Sequence, residues 1–235
     1  MTYRKTKSDI SAMFDNIAHS YDLLNHLLSF NIDKRWRKRT VLELSKYKHD
    51  NVLDIATGTG DLAIEVYNKL KPNGIVGIDI SAKMLDVAIL KVKQLKLSEN
   101  IKFQQADSLN IPFEADVFDA ITIGFGIRNF EDINKALQEI KRVLNKEYGT
   151  VFILEFSKPQ NLIVKYLYNL YSGIIMPYLG KLFSGDYKAY KYLNKSSLNF
   201  PSGKDFVAIL LKNGYKNIRY IPLTMGVATI YIAQK

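Results

Sequence analysis

The sequence predicts an α/β domain on a mostly parallel sheet, from three observations. Short apolar runs alternate with segments of helical period between residues 51 and 156. A glycine turn follows the first run, in VLDIATGTGD (52–61). Two strand-like runs close the chain, YKNIRYIPL and GVATIYIAQK, separated only by Thr224 and Met225. Alternation of this kind gives parallel strands joined by right-handed crossovers, and the closing pair reads as a hairpin on the sheet edge.

The elements follow in order. NVLDIA is a first strand, and DLAIEVYNKL (61–70) carries apolar residues at helical spacing. KPNG breaks that helix, and IVGIDI is a second buried strand. Ser81 is placed to cap the helix AKMLDVAILKVKQL. IKFQQAD and FDAITIGF are the third and fourth strands, and INKALQEIKRVL is a further helix. GTVFILEFS is the fifth strand, nearly continuous in apolar residues, as burial on both faces requires. Two segments stand outside this core. Residues 8–30 place Ile10, Met13, Phe14 and Ile17 at helical spacing, with Ser8 as the expected cap. Residues 157–200 interrupt the sheet with a Tyr-, Leu- and Lys-rich insert. The expected organisation is one domain over 1–235, with an N-terminal helical cap (1–45) and a lid insert (157–200) over the carboxyl ends of the strands, where α/β sheets bind ligands.

Composition bounds the chemistry. The 235 residues suffice for a sizeable core, and 47% of them are hydrophobic, which excludes a disordered chain. The absence of cysteine excludes disulfides, zinc–thiolate sites and thiol catalysis, and no metal site is expected. The N-terminus lacks an apolar signal core, so a cytoplasmic location is expected. Tyr166–Gly180 is too short and too broken by Gly and Pro to span a membrane. The formal net charge of +10 suits solubility, an anionic membrane surface or nucleic acid. Basic residues cluster in DKRWRKR (33–39), with no nucleic-acid-binding signature beside them.

The glycine turn narrows the ligand. Gly58 and Gly60 give the tight turn of a dinucleotide site, with Ala63 in place of the third glycine. A pyrophosphate at the helix start would meet the charges of Asp61 and Asp54. S-adenosylmethionine carries a sulfonium, an ammonium and a carboxylate but no phosphate, and Asp54 is placed to attract the ammonium directly or through water. Asp79 ends the second strand, where a ribose-binding acid belongs; its alternative, a helix cap, is already supplied by Ser81. Asp107 is placed to accept from the adenine amino group while the Ser108 N–H meets a ring nitrogen, against the alternative of an ordinary loop acid. Three acids at three successive strand ends lie along one sheet edge.

The sequence resembles the ubiquinone/menaquinone biosynthesis C-methyltransferase family nearly end to end. The matching stretches are MFDNIAHSYDLLNHLLSF, VLDIATGTGDLA, DSLNIPF, FDAITIGFGIRNF, ALQEIKRVL and LEFSKP. The resemblance implies the class I S-adenosylmethionine-dependent methyltransferase fold, a Rossmann-like seven-stranded sheet with an antiparallel last strand. It implies methylation of a ring carbon of a polyprenylated quinol, with cofactor contacts at Thr59, Asp79, Asp107 and Ser108. Gly124 stands where some members have serine. By the same resemblance the substrate is demethylmenaquinol, the alternatives being a ubiquinone-pathway benzoquinol or, without the tail, RNA.

Ring methylation asks for a stabilised phenolate. Arg128 follows the fourth strand and is expected to stabilise it, with Asn129 orienting the ring; a surface salt bridge is the alternative for Arg128. His19 is a candidate base near neutral pH, against a structural role. Tyr187, Tyr190 and Tyr192 line the quinol pocket or pack the lid. A polyprenyl tail lives in the bilayer, so peripheral association with the inner face of an anionic cytoplasmic membrane is expected, through basic residues and apolar insert residues such as Ile174, Ile175 and Leu179. That surface equally suits a lid or a homodimer interface. Nucleic acid is not expected as a partner.

Overall fold

The computed structural model describes residues 6–171 and 187–235. Its sheet has seven strands: β1 (Asn51–Ile55), β2 (Gly74–Asp79), β3 (Ile101–Gln105), β4 (Ala120–Gly124), β5 (Thr150–Phe156), β6 (Lys216–Leu223) and β7 (Ala228–Gln234). Their order is β3-β2-β1-β4-β5-β7-β6. β1 to β5 pair in parallel, and β7 runs antiparallel to both β5 and β6. The order reverses between β1 and β4, and such a switch point leaves a crevice at the carboxyl ends of the strands. The closing hairpin is present, joined by a 3₁₀ turn at Thr224–Gly226.

Three helices precede the sheet: α1 (Lys7–Ile17), α2 (Tyr21–Leu28) and α3 (Ile32–Leu44). The crossovers are α4 (Asp61–Leu70), α5 (Ala82–Gln94) and α6 (Ile133–Val143). After β5 come α7 (Leu162–Leu170), α8 (Tyr187–Asn199) and α9 (Lys204–Lys212). The period of two sorts each strand between two cores. Leu53, Ile55, Ile121, Ile123, Val151 and Ile153 pack on one face with α6 and α9. Val52, Ala120, Phe152 and Leu154 pack on the other with residues of α3 and α4. A third cluster joins Met13, Ile17, Leu24 and Leu28 to Met84 of α5 and Ala189 of α8.

The segment 8–30, expected to be helical over 10–17, holds two helices. A 3₁₀ turn at Ala18–Ser20 separates α1 from α2, with the Ser20 hydroxyl donating back to the Ile17 carbonyl at 3.3 Å. The cap of α1 is Thr6 rather than Ser8. Thr6 and Asp9 form a reciprocal capping box, and Ser8 has no acid three residues on to close one. Ser81 caps α5 as expected, its side chain accepting from the Met84 N–H at 3.2 Å. Ile174, Ile175 and Leu179 lie outside the described residues, as do the side chains of Tyr187 and Tyr190.

The two turn glycines differ in what surrounds them. Gly58 (φ +56°) has no atom within 4 Å of where a Cβ would stand, whereas at Gly60 (φ +81°) a Cβ would stand 3.0 Å from the Phe103 ring and 3.3 Å from Ala88 Cβ. Gly58→Ala therefore meets only the left-handed backbone penalty of about 1–2 kcal/mol. Gly60→Ala adds overpacking, typically about 1–3 kcal/mol more. Denaturant unfolding of both variants should show the larger loss at Gly60; equal losses would mean that packing above the turn is loose.

Candidate active site

Asp79 closes β2 and faces the crevice. Its Oδ2 accepts the Gly58 N–H at 2.8 Å and its Oδ1 accepts the Ser81 N–H at 2.9 Å. Burial pushes this carboxyl above its usual range, with the backbone donors pulling the other way. A carboxylate has about four acceptor sites, so acceptor capacity remains beside its backbone donors. Beyond β3, the Leu109 N–H donates to Asp107 Oδ1 at 2.9 Å, and Lys7 Nζ pairs with Oδ2 at 2.7 Å. Ser108 is buried next to it. Gly58, Asp79, Asp107, Ser108 and Gly124 line one cleft of about 80 Å³, walled by Ile10 and Phe14 of α1. The structure thus brings together residues from four strand ends. A serine at 124 would place its Cβ 3.2 Å from Leu62 Cδ2, a tight fit.

α1 lies across the mouth of that cleft. The Ser11 hydroxyl donates to the Ile80 carbonyl at 3.2 Å, and Asp15 Oδ1 accepts from the Ser81 hydroxyl at 2.6 Å and the Lys83 N–H at 3.2 Å.

On the other side of the glycine turn is a smaller cavity of about 60 Å³, lined by Asp22, Asn25, Arg37, Asp54, Thr59 and Asp61 among others. Asp54 is 1% exposed. It accepts from the Thr57 hydroxyl at 2.6 Å and from that of Thr122. Burial pushes its carboxyl up to about 6, against the pull of those hydroxyls and with the Asp79 charge adding to the rise. Thr59 is buried and donates its hydroxyl to Asp22. Asp61 pairs with Lys91 and, at 3.0 Å, with Arg37 Nη2. Burial raises its carboxyl, but Arg37, Lys91 and His26 outweigh that and hold it below the usual range. The acid expected to repel a phosphate is therefore already matched by cations of α3 and α5.

The third cavity is the largest, about 240 Å³, and mostly apolar, with Leu28, Phe30, Trp36, Phe125, Phe156 and Tyr171 in its walls. Trp36, Phe125 and Phe156 form a cluster of rings with centroids 4.7–6.0 Å apart, and the Trp36 N–H donates to the Thr224 hydroxyl at 2.8 Å. Arg128 also lines this cavity. The Arg128 side chain is 4% exposed and that of Glu155 is 0%, with Nη1 2.6 Å from Glu155 Oε1. It is thus a buried ion pair, not the surface one considered above. Burial pushes the Glu155 carboxyl up and Arg128 draws it back only in part. Arg128 Nε and Asn129 Oδ1 are both buried without a hydrogen-bond partner. Arg128 lines the aromatic cavity and Asn129 the cleft beside Asp79, so one 3₁₀ turn (Ile127–Asn129) borders both.

Tyr21 and Phe125 line all three cavities. Burial raises the Tyr21 hydroxyl above its usual range, Arg128 partly offsetting it. Phe125 holds φ +58°, a conformation bulky residues keep only where the surroundings impose it, often at functional sites.

Not every expected residue joins the site. His19 is exposed on the turn after α1 and lines none of these three cavities. Burial of Ile10, Met13 and Ile17 turns His19 to solvent, so the base expected there is not placed with the other groups. Tyr192 packs against the cluster of Met13, Ile17 and Leu24, while Leu193, Asn194 and Ser197 of α8 reach the aromatic cavity. Sequence reasoning missed the network of Asp22, His26, Asp33, Arg37 and Lys91. Of its links, only Asp33–Arg37 is an i,i+4 pair, the one spacing a sequence shows.

The chain was compared with known proteins. Among solved structures, a SAM-dependent methyltransferase from Aquifex aeolicus superposes with a TM-score of 0.59 at 20% identity, covering 83% of this chain and 88% of its own. The [4+2]-cyclase SpnF superposes with a TM-score of 0.62 at 15% identity over 98% and 97%. At such identities the likeness gives the fold alone, and the cyclase shows that the fold does not dictate the reaction. Sequence relatives are much nearer. The demethylmenaquinone methyltransferase of Bacteroides fragilis is 42% identical over 231 residues, 98% of this chain and 94% of the relative. The ubiquinone/menaquinone biosynthesis C-methyltransferase UbiE of Geotalea daltonii is 43% identical over 227 residues, 96% of each. The family model described as the ubiE/COQ5 methyltransferase family matches residues 1–235. The chain belongs to the ubiE/COQ5 methyltransferase family.

Proposed function

We propose that this methyltransferase transfers the methyl group of S-adenosylmethionine to a ring carbon of a prenylated quinol, demethylmenaquinol, with a benzoquinol precursor as the second candidate. The observation that carries the reading is the meeting of three cavities at Tyr21 and Phe125. One has acids and small residues suited to an adenosine. One holds the charges an amino-acid end requires. The third is aromatic and apolar, suited to a quinol ring.

The donor set fits S-adenosylmethionine: Asp54 and Asp79 flank the turn where a dinucleotide would place phosphate, while Asp61 there is held by Arg37 and Lys91. Bound there, the cofactor supplies an activated methyl sulfonium. Asp79 accepts from the ribose hydroxyls with its remaining lone pairs. Asp107 and Ser108 hold the adenine edge, which requires Lys7 to share or release Asp107. Gly58, Thr59, Gly60 and Gly124 shape the turn beneath the ligand, and Asp54 favours the ammonium. Arg128 lines the mostly apolar aromatic cavity, where its guanidinium stabilises the negative charge a quinol oxygen carries once its hydroxyl proton has been lost. Glu155 fixes the guanidinium in place, and Asn129 orients the reacting partners from the cofactor side. The helices up to residue 45 cap the cleft, and Tyr171 with Leu193, Asn194 and Ser197 of α8 border the quinol side.

The substrate also explains the surface. The aromatic cavity, about 240 Å³, is smaller than the roughly 300–1,000 Å³ of pockets that enclose drug-sized ligands. It takes a ring system, and a long tail has to leave it. Phe30, 73% exposed, lines the cavity at the surface end, and α7 exposes Leu162 (79%) and Ile163 (71%). No helix of the described residues is long and apolar enough to cross a membrane. Peripheral docking beside an anionic bilayer fits these facts and the net charge of +10.

Four measurements test this reading. Purified protein with S-adenosylmethionine and a short-tailed demethylmenaquinol should give the ring-methylated quinol by mass analysis. Arg128→Ala should keep cofactor affinity and lose on the order of 100-fold or more in turnover; normal turnover at saturating quinol removes Arg128 from the chemistry.

Cofactor affinity should also fall as the pH drops through about 6, because Asp54 must lose its proton before it faces an ammonium. The sign for the unliganded fold is opposite. The folded carboxyl lies near 6, above the 3.8 of the free group, so its ionisation opposes folding and Asp54 adds stability as pH falls from about 6 toward 3.8. Calorimetry on Asp54→Asn should find weaker binding without this part of the pH dependence; an unaltered profile would clear Asp54 of the role.

Flotation with vesicles should show binding to anionic and not to neutral lipid, reversed by salt, since each basic residue near the surface contributes about 1 kcal/mol within a Debye length. Leu162→Ser with Ile163→Ser should reduce the salt-resistant remainder. Failure to float with anionic vesicles at low salt rejects the peripheral reading.

A further inference from the structure

We propose that Arg37, on α3, grips the carboxylate of the cofactor's amino-acid end, which makes the N-terminal helices part of the cofactor site. The inference rests on the reading that the cleft takes S-adenosylmethionine.

Gly58, Gly124, Phe125 and Tyr21 line both the adenosine-side cleft and the small cavity beyond the glycine turn. A ligand whose ribose meets Asp79 therefore continues into that small cavity. What remains of the cofactor there is an α-ammonium and an α-carboxylate. The lining holds three acids, Asp22, Asp54 and Asp61, which suit the ammonium. Arg37 is the one cation in the lining among the described residues. Lys91 is held by Asp22 and Asp61 and does not line the cavity.

Arg37 is placed and oriented for this. Its side chain is 12% exposed, and both of its ion pairs, to Asp33 and Asp61, run through Nη2. Among the described residues Nε and Nη1 have no such partner, which leaves that part of the fork for a ligand. Asp33 is itself fixed by the Ser29 hydroxyl at 2.6 Å and by His26 Nδ1 at 2.7 Å, so the guanidinium is held on one side by a rigid carboxylate. A planar fork matches a carboxylate with two parallel hydrogen bonds, which an ammonium does not. Three lining acids against one lining cation still leave net negative charge for the ammonium.

The test is calorimetric binding of three ligands that differ only at this end. S-adenosylmethionine has both charges, its decarboxylated analogue lacks the carboxylate, and 5′-methylthioadenosine lacks the amino-acid end. Wild type should prefer S-adenosylmethionine to the decarboxylated analogue. Arg37→Gln should weaken S-adenosylmethionine by about 10- to 100-fold, erase that preference and leave 5′-methylthioadenosine unchanged. Arg37→Lys should recover part of the loss. Unchanged 5′-methylthioadenosine affinity also certifies that the cleft of the variant is folded. Undiminished S-adenosylmethionine affinity, or a parallel loss for 5′-methylthioadenosine, overturns the proposal in favour of a role in the aromatic cavity or in holding α3. Binding is scored without any methyl acceptor, so a failed quinol assay rejects the substrate reading and leaves the Arg37 result standing.

Discussion

The Asp79 carboxylate accepts Gly58 N–H with one oxygen and Ser81 N–H with the other, and both walls of the crevice depend on this clasp. The Gly58 bond fixes the turn that opens α4, and the Ser81 bond fixes the start of α5, where the Ser81 hydroxyl also caps the helix. Backbone amides hold the acid without neutralising it, so it stays an acceptor at the edge of the sheet. Its cost is visible in the upward push that burial gives the carboxyl. A group paired with a cation would be cheaper to bury but would have less to offer a neutral diol.

α1 uses the same corner. Asp15 binds the Ser81 hydroxyl and Lys83 N–H, and Lys7 reaches Asp107. α2 and α3 do the equivalent on the far side of the turn, where Asp22 receives the Thr59 hydroxyl and Arg37 meets Asp61. The three N-terminal helices therefore hold the crevice from both ends by polar contacts and from above by the apolar cluster around Ile17 and Leu24. A residue that reads in sequence as a repulsive charge, Asp61, is in the fold an anchor for α3.

What the sequence showed depended on range. Strand positions were legible because burial on both faces leaves a run such as Val151–Leu154 wholly apolar, and the structure sends alternate members to opposite cores. The acids at strand ends were legible because topology alone puts Asp54, Asp79 and Asp107 on one edge. The cap of α1 was readable in principle: Thr6 has an acid at the third position and Ser8 does not. His26 was not readable, since its partners Asp33 and Asp61 lie 7 and 35 residues away. Nor was the burial of Arg128 against Glu155, because a lone basic residue after a strand gives no hint of an acid 27 residues on. His19 misled for the same reason. A histidine among apolar residues at helical spacing shows its face only once the helix is known to end at Ile17.

The loops after β1 and β4 meet where the cavities share their lining, Ala56 in two of them and Phe125 in all three. Ala56 holds φ +53° and Phe125 φ +58°, each costing on the order of 1–3 kcal/mol. A Cβ on Gly126 would stand 2.5 Å from the Ala56 Cβ, so the two loops touch and only a small residue and a glycine allow it. The Phe125 N–H is satisfied by the Leu154 carbonyl at 2.7 Å, which ties the strained residue to the interior of the sheet. Two of the positive-φ non-glycine residues among those described thus sit at the sheet's switch point. Phe125 lines all three cavities there, as does Tyr21 of α2. A group passing between these cavities would be confined by a Phe125 ring set by the backbone rather than by a side chain free to rotate. In-line displacement gains most from such fixed positioning, since a sulfonium needs no further activation from the protein.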